Sequence, residues 1–216
     1  GTGVGSITAG CLEDELVKVG REVRETGRPE LVTYDLMEDD EDDVWGMGVG
    51  CNGVIEVLLE PLTETYRPAV EAFFDGRDIA VATVLDGDGD LERGDRAYYH
   101  PDSDRLTAPD GSDAAGPASA LAGPAAELAA RGKADTVSID GIEVFVDGLA
   151  APDELVIFGT GHDVGPVTEF AAKNDFRVTV VGFRGAVDLE DRFAAADRVV
   201  TTSPPTIGED LDLGDR

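Results

Sequence analysis

The sequence predicts an α/β protein: an N-terminal mixed α+β module followed by a domain built on a parallel sheet. Three observations predict it. Apolar residues recur at helical spacing in some segments and as short β-branched runs in others, so both element types are present. Asp140-Gly141 separates two apolar runs, the pattern of a tight antiparallel hairpin. Past residue 153 the pattern becomes strand, helix, strand, helix, strand, which implies parallel strands joined by right-handed crossovers. The change sets a boundary in residues 147–153 (DGLAAPD) and divides the chain into residues 1–150 and 151–216.

In the first module, Leu12, Leu16, Val19 and Val23 recur at spacings of three and four. Residues 11–26 therefore form an amphipathic helix, capped near Thr8 and ended by Gly27. Glu13 and Asp14 fall in its first turn, where the helix dipole favours negative charge. Residues 30–36 read as a strand, 37–43 (MEDDEDD) as a solvated acidic loop and 53–59 (GVIEVLL) as a second strand. Residues 66–74 read as a helix with Pro68 in its first turn. The run 79–85 (IAVATVL) is apolar and β-branched, hence a buried strand, and 86–90 (DGDGD) is its turn. That turn starts like a calcium loop but lacks the downstream glutamate such a loop requires. A short strand at 96–99, a loop at 103–117 and a helix at 118–131 ended by Gly132 follow. The hairpin strands are 136–139 and 142–146.

In the second domain the strands are 154–158, 176–181 and 198–201, the helices 164–174 and 189–195, and 202–216 is polar and irregular. FGTGHDVGP follows a strand and opens a helix, the context of a dinucleotide-binding loop in a Rossmann-like sheet. Gly159 suits the tight turn, and Gly161 lets backbone approach a phosphate at the helix N-terminus. The third glycine of G-x-G-x-x-G falls on Val164, with Gly165 one residue late and Pro166 after it. Gly182 stands where an acidic residue would hold a ribose, and Arg184 is placed to meet a 2′-phosphate or another anionic group. Two readings remain: a phosphate-bearing ligand, or a tight strand-to-helix turn with no ligand. His162 fits either a ligand contact or a hydrogen bond at the helix end. The domain is short for a nucleotide-binding domain of this type, which continues with further strands.

Charge is the strongest compositional signal. Asp and Glu number 46 against 17 Lys and Arg, a formal net charge of -29, and only Lys18, Lys133 and Lys173 are lysines. Such a surface repels itself at low salt. In molar salt the Debye length falls to about 3 Å and the repulsion is screened. Acid spread along the whole chain, scarce lysine and intact apolar periodicity point to a cytoplasmic protein of a salt-accumulating halophile. The charge argues against nucleic acid and anionic membranes as partners. No apolar run is long enough to span a bilayer, and no signal peptide is visible.

Cys11 and Cys51 lie in different glycine-rich stretches, GSITAGCLEDEL and GMGVGCNGVIEV, and read as free thiols. Near a helix N-terminus the dipole stabilises the Cys11 thiolate, while Glu13 and Asp14 oppose it. Gly50, Asn52 and Gly53 around Cys51 let backbone amides approach an anion and expose the sulfur. The alternative is that both are small buried hydrophobes. Zinc is disfavoured, since His100 and His162 are the only histidines and no Cys-x-x-Cys occurs. No G-x-S-x-G marks a hydrolase.

These segments, in this order, resemble the XdhC/CoxI family of maturation factors for xanthine dehydrogenase and CO dehydrogenase-like molybdenum hydroxylases. Gly5, Ser6, Thr8, Ala9, Gly10, Cys11 and Glu13 stand in the family's G-S-x-S-G-G-C-x-E motif. Gly48, Gly50, Cys51, Asn52, Gly53, Glu56, Val57, Glu60 and Pro61 stand in its second motif, G-x-G-C-G-G-x-x-E-V-x-x-E-P. Gly159, Gly161, Asp163 and Pro166 match the family's G-x-G-x-D-x-x-P loop. Relatives carry aspartate where Gly182 stands, a leading strand and turn before Gly1, and closing strands after Arg216, so the chain reads as shortened at both ends.

The resemblance implies binding of molybdenum cofactor, a pterin dithiolene with a phosphate, and assistance with its sulfuration and insertion into a molybdenum hydroxylase. It implies a chaperone more than an enzyme, working as a homodimer with the target enzyme and a cysteine desulfurase. Cys11 and Cys51 are expected close together in one site, with glycine-rich turns cradling the phosphate and pterin edge. The cofactor-binding set is Gly5, Ser6, Gly10, Cys11, Glu13, Gly50, Cys51, Asn52, Gly53, Gly159, Gly161, His162, Asp163 and Arg184. Two other readings stand beside it: an NAD(P)-dependent oxidoreductase using the Gly159-Gly161 loop, and a scaffold protein with no small ligand.

Overall fold

The computed structural model describes residues 4, 5, 7, 12–35, 53–87, 91–183 and 189–211. It has the mixed α/β architecture expected, with a two-stranded and a five-stranded antiparallel sheet and a three-stranded parallel one. The chain divides into two compact units, Gly1–Ala150 and Ala151–Arg216. Among the described residues no helix is long and apolar enough to cross a membrane.

In the first unit, α1 (Glu13–Thr26) opens with Glu13, Asp14 and Glu15 and ends at Gly27. Its N-cap position is Leu12, which makes no side-chain cap hydrogen bond; Thr8, expected near the cap, lies outside the described residues. Leu12 and Leu16 bury against Val57, with Tyr34, Ile55 and Leu59 packed beside them. Those partners belong to β1 (Glu30–Asp35) and β2 (Val54–Leu59), an antiparallel pair in which Tyr34 faces Ile55 and Leu31 faces Leu58. The acidic loop expected at 37–43 lies outside the described residues.

The larger sheet is made of β3 (Ile79–Asp86), β4 (Arg96–His100), β5 (Arg105–Thr107), β6 (Ala134–Ile139) and β7 (Ile142–Leu149), in the order β5-β4-β3-β7-β6. Central β3 is buried from Ile79 to Leu85 because both its faces are covered. On one side α3 (Ala122–Arg131) packs Ala125 against Ala80, Ala82, Val144 and Val146. On the other, α2 (Arg67–Asp75) sets Ala72 and Ala69 against Ile79, Val81 and Tyr98. The α3 interface is tight. A Cβ on Gly148 would lie 2.4 Å from the Leu128 carbonyl oxygen, so only glycine fits there. The β6–β7 turn holds Asp140 at φ 52° and Gly141 at φ 85°, both left-handed as a tight hairpin turn requires.

The structure differs from the sequence reading in several places. Residues 103–117, read as loop, contain β5, which pairs with β4 and whose Arg105 bonds Asp113 across the following turn. The helix expected over 118–131 opens as a 3-10 turn, Gly116–Leu121, and becomes α-helical only at Ala122. Strand β7 runs on to Leu149, three residues past the expected end, because Gly148 keeps the inward alternation of Val144 and Val146. The irregular tail expected from residue 202 contains a short helix, α6 (Ile207–Asp210).

In the second unit, β8 (Glu154–Phe158), β9 (Arg177–Phe183) and β10 (Arg198–Thr202) pair in parallel in the order β10-β9-β8. Helices α4 (Val164–Ala172) and α5 (Leu189–Arg192) supply Val164, Ala171 and Leu189 to a core with Val178, Val180 and Phe193. Both helices are shorter than read. Helix α4 stops where the Asn174 side chain donates to the Phe170 carbonyl at 2.7 Å and Asp175 turns left-handed. Helix α5 gives way to a turn in which the Ala196 N–H donates to the Phe193 carbonyl at 2.8 Å.

Candidate functional site

Of the residues expected in the two glycine-cysteine segments, Gly5, Glu13 and Gly53 are among those described. Ser6, Gly10, Cys11, Gly50, Cys51 and Asn52 lie outside them, as does Arg184. Gly5 is exposed with φ 85°, and open space surrounds both it and Gly53. Glu13, the first residue of α1, accepts a hydrogen bond from the Ile7 N–H at 3.2 Å, which ties the start of the first segment to the helix.

The first unit holds a cleft of about 790 Å³ that both segments help to line. Ile7 lines it from the first segment, and Ile55, Glu56, Val57 and Glu60 line it from the second. Its far wall is the face of the large sheet turned away from α3, with Val81, Thr83, Phe145, Asp147 and Leu149. A mostly apolar cleft of this volume with a few polar groups has the character of a small-molecule site. Asp147 is the isolated polar group: it has no hydrogen-bond or ion-pair partner among the described residues. Burial alone pushes its carboxyl above the usual range.

One end of the cleft is fixed by a buried ionic cluster. The Arg96 guanidinium bonds the Glu60 carboxylate, donates to the Tyr66 hydroxyl at 2.7 Å and the Gly94 carbonyl at 3.2 Å, and stacks 3.9 Å from the Tyr66 ring centre. The Tyr66 hydroxyl itself donates to Glu60. Its pKa is raised, first by burial and then by that hydrogen bond, with the Arg96 charge pulling the other way. The cluster holds the segment after β2 against β4 and so sets the spacing of the cleft walls. Sequence reasoning missed both it and Asp147. The signal for Asp147 was available, since the alternation of β7 places it on the same face as Phe145 and Leu149.

In the second unit, Gly159, Gly161, His162 and Asp163 lie in the turn from β8 to α4. Gly159 has φ 127°, nothing within 4 Å of where a Cβ would sit, and an N–H that donates to the Val181 carbonyl at 2.9 Å. A Cβ on Gly161 would meet only the movable Asp163 carboxylate, at 2.3 Å. The Gly161 carbonyl accepts from Arg192 at 2.9 Å. His162 and Asp163 are exposed, and Asp163 occupies the N-cap position without a side-chain cap bond. The turn thus offers open backbone at a helix N-terminus, with one carboxylate beside it that opposes an anion.

No family model matches the chain. The chain is similar to a probable xanthine dehydrogenase subunit of Bacillus subtilis (strain 168), with 25% identity over 210 residues that cover 94% of this chain and 58% of that protein. The crystal structure of a xanthine dehydrogenase from Bacillus halodurans matches with a TM-score of 0.68 and 26% identity, over 99% of this chain and 59% of that one. The chain spans about three fifths of the length of these relatives. The likeness runs through both units and ties the chain, at modest identity, to proteins named for xanthine dehydrogenase.

Proposed function

We propose that the chain serves a xanthine dehydrogenase or related molybdenum hydroxylase as a maturation factor that binds molybdenum cofactor and assists its sulfuration and insertion. The observation that carries this is the shared cleft: Ile7 from one glycine-cysteine segment and Ile55 to Val57 from the other line the same space. The packing of Leu12, next to Cys11, in one cluster with Ile55, four residues after Cys51, supports a common site for the two thiols.

The residues present fit such a group. The bound cofactor would supply a pterin, a dithiolene and a phosphate. The apolar walls at Val57, Val81 and Phe145 exclude water from a flat ring, while Thr83 and Asp147 offer polar points at its edge. In this reading the glycine-rich sequence around Gly10 and Gly50 to Gly53 supplies backbone N–H groups for an anionic end. Cys11 and Cys51 hold or carry the sulfur that a cysteine desulfurase provides. In this reading residues 1–150 are the cofactor module, residues 151–216 are a Rossmann-like domain, and the protein works as a homodimer in the cytoplasm.

The test is anaerobic binding of molybdenum cofactor in molar KCl, read by fluorescence of the oxidised pterin after ultrafiltration. Tight binding that falls when Cys11→Ala and Cys51→Ala are combined is expected. Unchanged retention in the double variant would sink the assignment. One observation favours a second reading, an NAD(P)-dependent oxidoreductase: the open backbone at Gly159 at the mouth of α4. Micromolar binding of NADP(H) without cofactor binding would favour it.

A further inference from the structure

A pocket of about 410 Å³ in the first unit shares no lining residue with the cleft above. Arg67, Arg77 and Arg105 line it, together with His100, Ser103 and Thr107. The three arginines come from separate places: the start of α2, the turn after α2 and the start of β5. In a chain of net charge -29 with only 17 Lys and Arg, three guanidiniums gather around this one pocket.

Each guanidinium already has a carboxylate partner, but each keeps donors to spare. Arg67 bonds Glu64 through one nitrogen, and Arg77 bonds Asp75 through one nitrogen at 2.9 Å. Arg105 gives two nitrogens to a single Asp113 oxygen, at 2.6 and 3.2 Å. A guanidinium carries five N–H donors. These pairs are exposed, so they are weak and yield readily to a better acceptor. Two carboxylates also line the pocket. Asp110 is engaged by the Ser112 N–H at 2.9 Å and its hydroxyl at 2.6 Å, while Glu71 remains as an opposing charge.

We infer that this pocket binds a small molecule through a phosphoryl group, held by the free guanidinium donors of Arg67, Arg77 and Arg105 with the Ser103 and Thr107 hydroxyls. The planar fork of arginine matches two phosphoryl oxygens at once, which a chloride ion cannot do. That difference lets the site select phosphate in concentrated KCl.

His100 reports on the pocket from inside it. Its ring Nε2 lies 3.0 Å from the Thr107 hydroxyl. Burial holds its pKa below the ordinary value, helped by Arg77 and Arg105, with Asp102 acting the other way. A bound dianion reverses the sign of the field at the ring, so occupancy raises the His100 pKa.

The experiment is a proton NMR titration of the two histidine rings of the whole chain in constant molar KCl, with and without inorganic phosphate. His162→Gln assigns the signals. At about 10 mM phosphate, where a millimolar site is mostly filled, the His100 pKa is expected to rise by about 0.5 to 1 unit. Arg77→Gln combined with Arg105→Gln, checked for an unchanged urea midpoint, is expected to weaken the response at least about tenfold, the equivalent of about 1.4 kcal/mol. Adenosine 5′-monophosphate in place of phosphate distinguishes the sources: an equal response assigns the site to the phosphoryl group alone, a tighter one to a phosphate monoester. A static His100 signal or an unchanged response in the double variant would overturn the inference.

Discussion

Replacing Glu60 by leucine tests the ionic cluster at the end of the cleft. The Arg96 side chain is 4% exposed and Glu60 13%, so the substitution leaves a guanidinium buried without its counter-charge. Removing one partner of such a pair costs about 3–5 kcal/mol. Arg96 keeps the Tyr66 hydroxyl, the Gly94 carbonyl and the Tyr66 ring, which places the loss at the lower end, about 3 kcal/mol. For a unit of this size that is a fall in Tm of about 6–12 °C. Urea denaturation in molar KCl measures it, since buried pairs are screened far less than exposed ones. The double variant Glu60→Leu/Arg96→Met removes both charges and is expected to return to within about 1 kcal/mol of the parent. Glu64→Ala, which breaks only the exposed pair with Arg67, should not move the midpoint. A single variant costing under about 1 kcal/mol, or a double variant whose loss equals the sum of the two singles, would refute the reasoning.

Two further predictions rest on the room around two glycines and on a buried carboxyl. Gly148→Ala drives a methyl into the backbone of α3 and is expected to cost about 1–3 kcal/mol in a thermal melt, whereas Gly161→Ala meets only the Asp163 side chain and should be nearly silent. Because the Asp147 carboxyl is raised by burial, its stabilising contribution is present below the ordinary carboxylate pKa of about 4 and is lost as pH rises through the higher folded value. Asp147→Asn is therefore expected to be more stable than the parent at pH 7 and to lose that advantage in acid, as read by urea midpoints across pH.

Local signals made much of the fold legible. The spacing of Leu12, Leu16 and Val23 specified α1, and Gly27 its end, because an amphipathic stripe needs no distant partner to be read. Asp140-Gly141 specified the hairpin for the same reason. The three-residue β5 was invisible because its polar, turn-rich surroundings carry no period, and only pairing with β4 makes it a strand. How the walls of the candidate cleft meet carried no signal in the sequence. Glu60 and Arg96 are 36 residues apart, and the arginine pocket gathers side chains from three elements. No periodicity encodes such meetings; they follow from which strands pair.

Strand β7 has two faces with different fates. Val144, Val146 and Gly148 are pinned against α3, where an added methyl has no room. Phe145, Asp147 and Leu149 point the other way, into the cleft, and Phe145 and Leu149 remain partly exposed. Descendants of this chain can therefore exchange every second residue of one strand and reshape the cleft wall, while the alternate residues keep the scaffold intact. Cleft shape and foldability are inherited on opposite sides of the same eight residues.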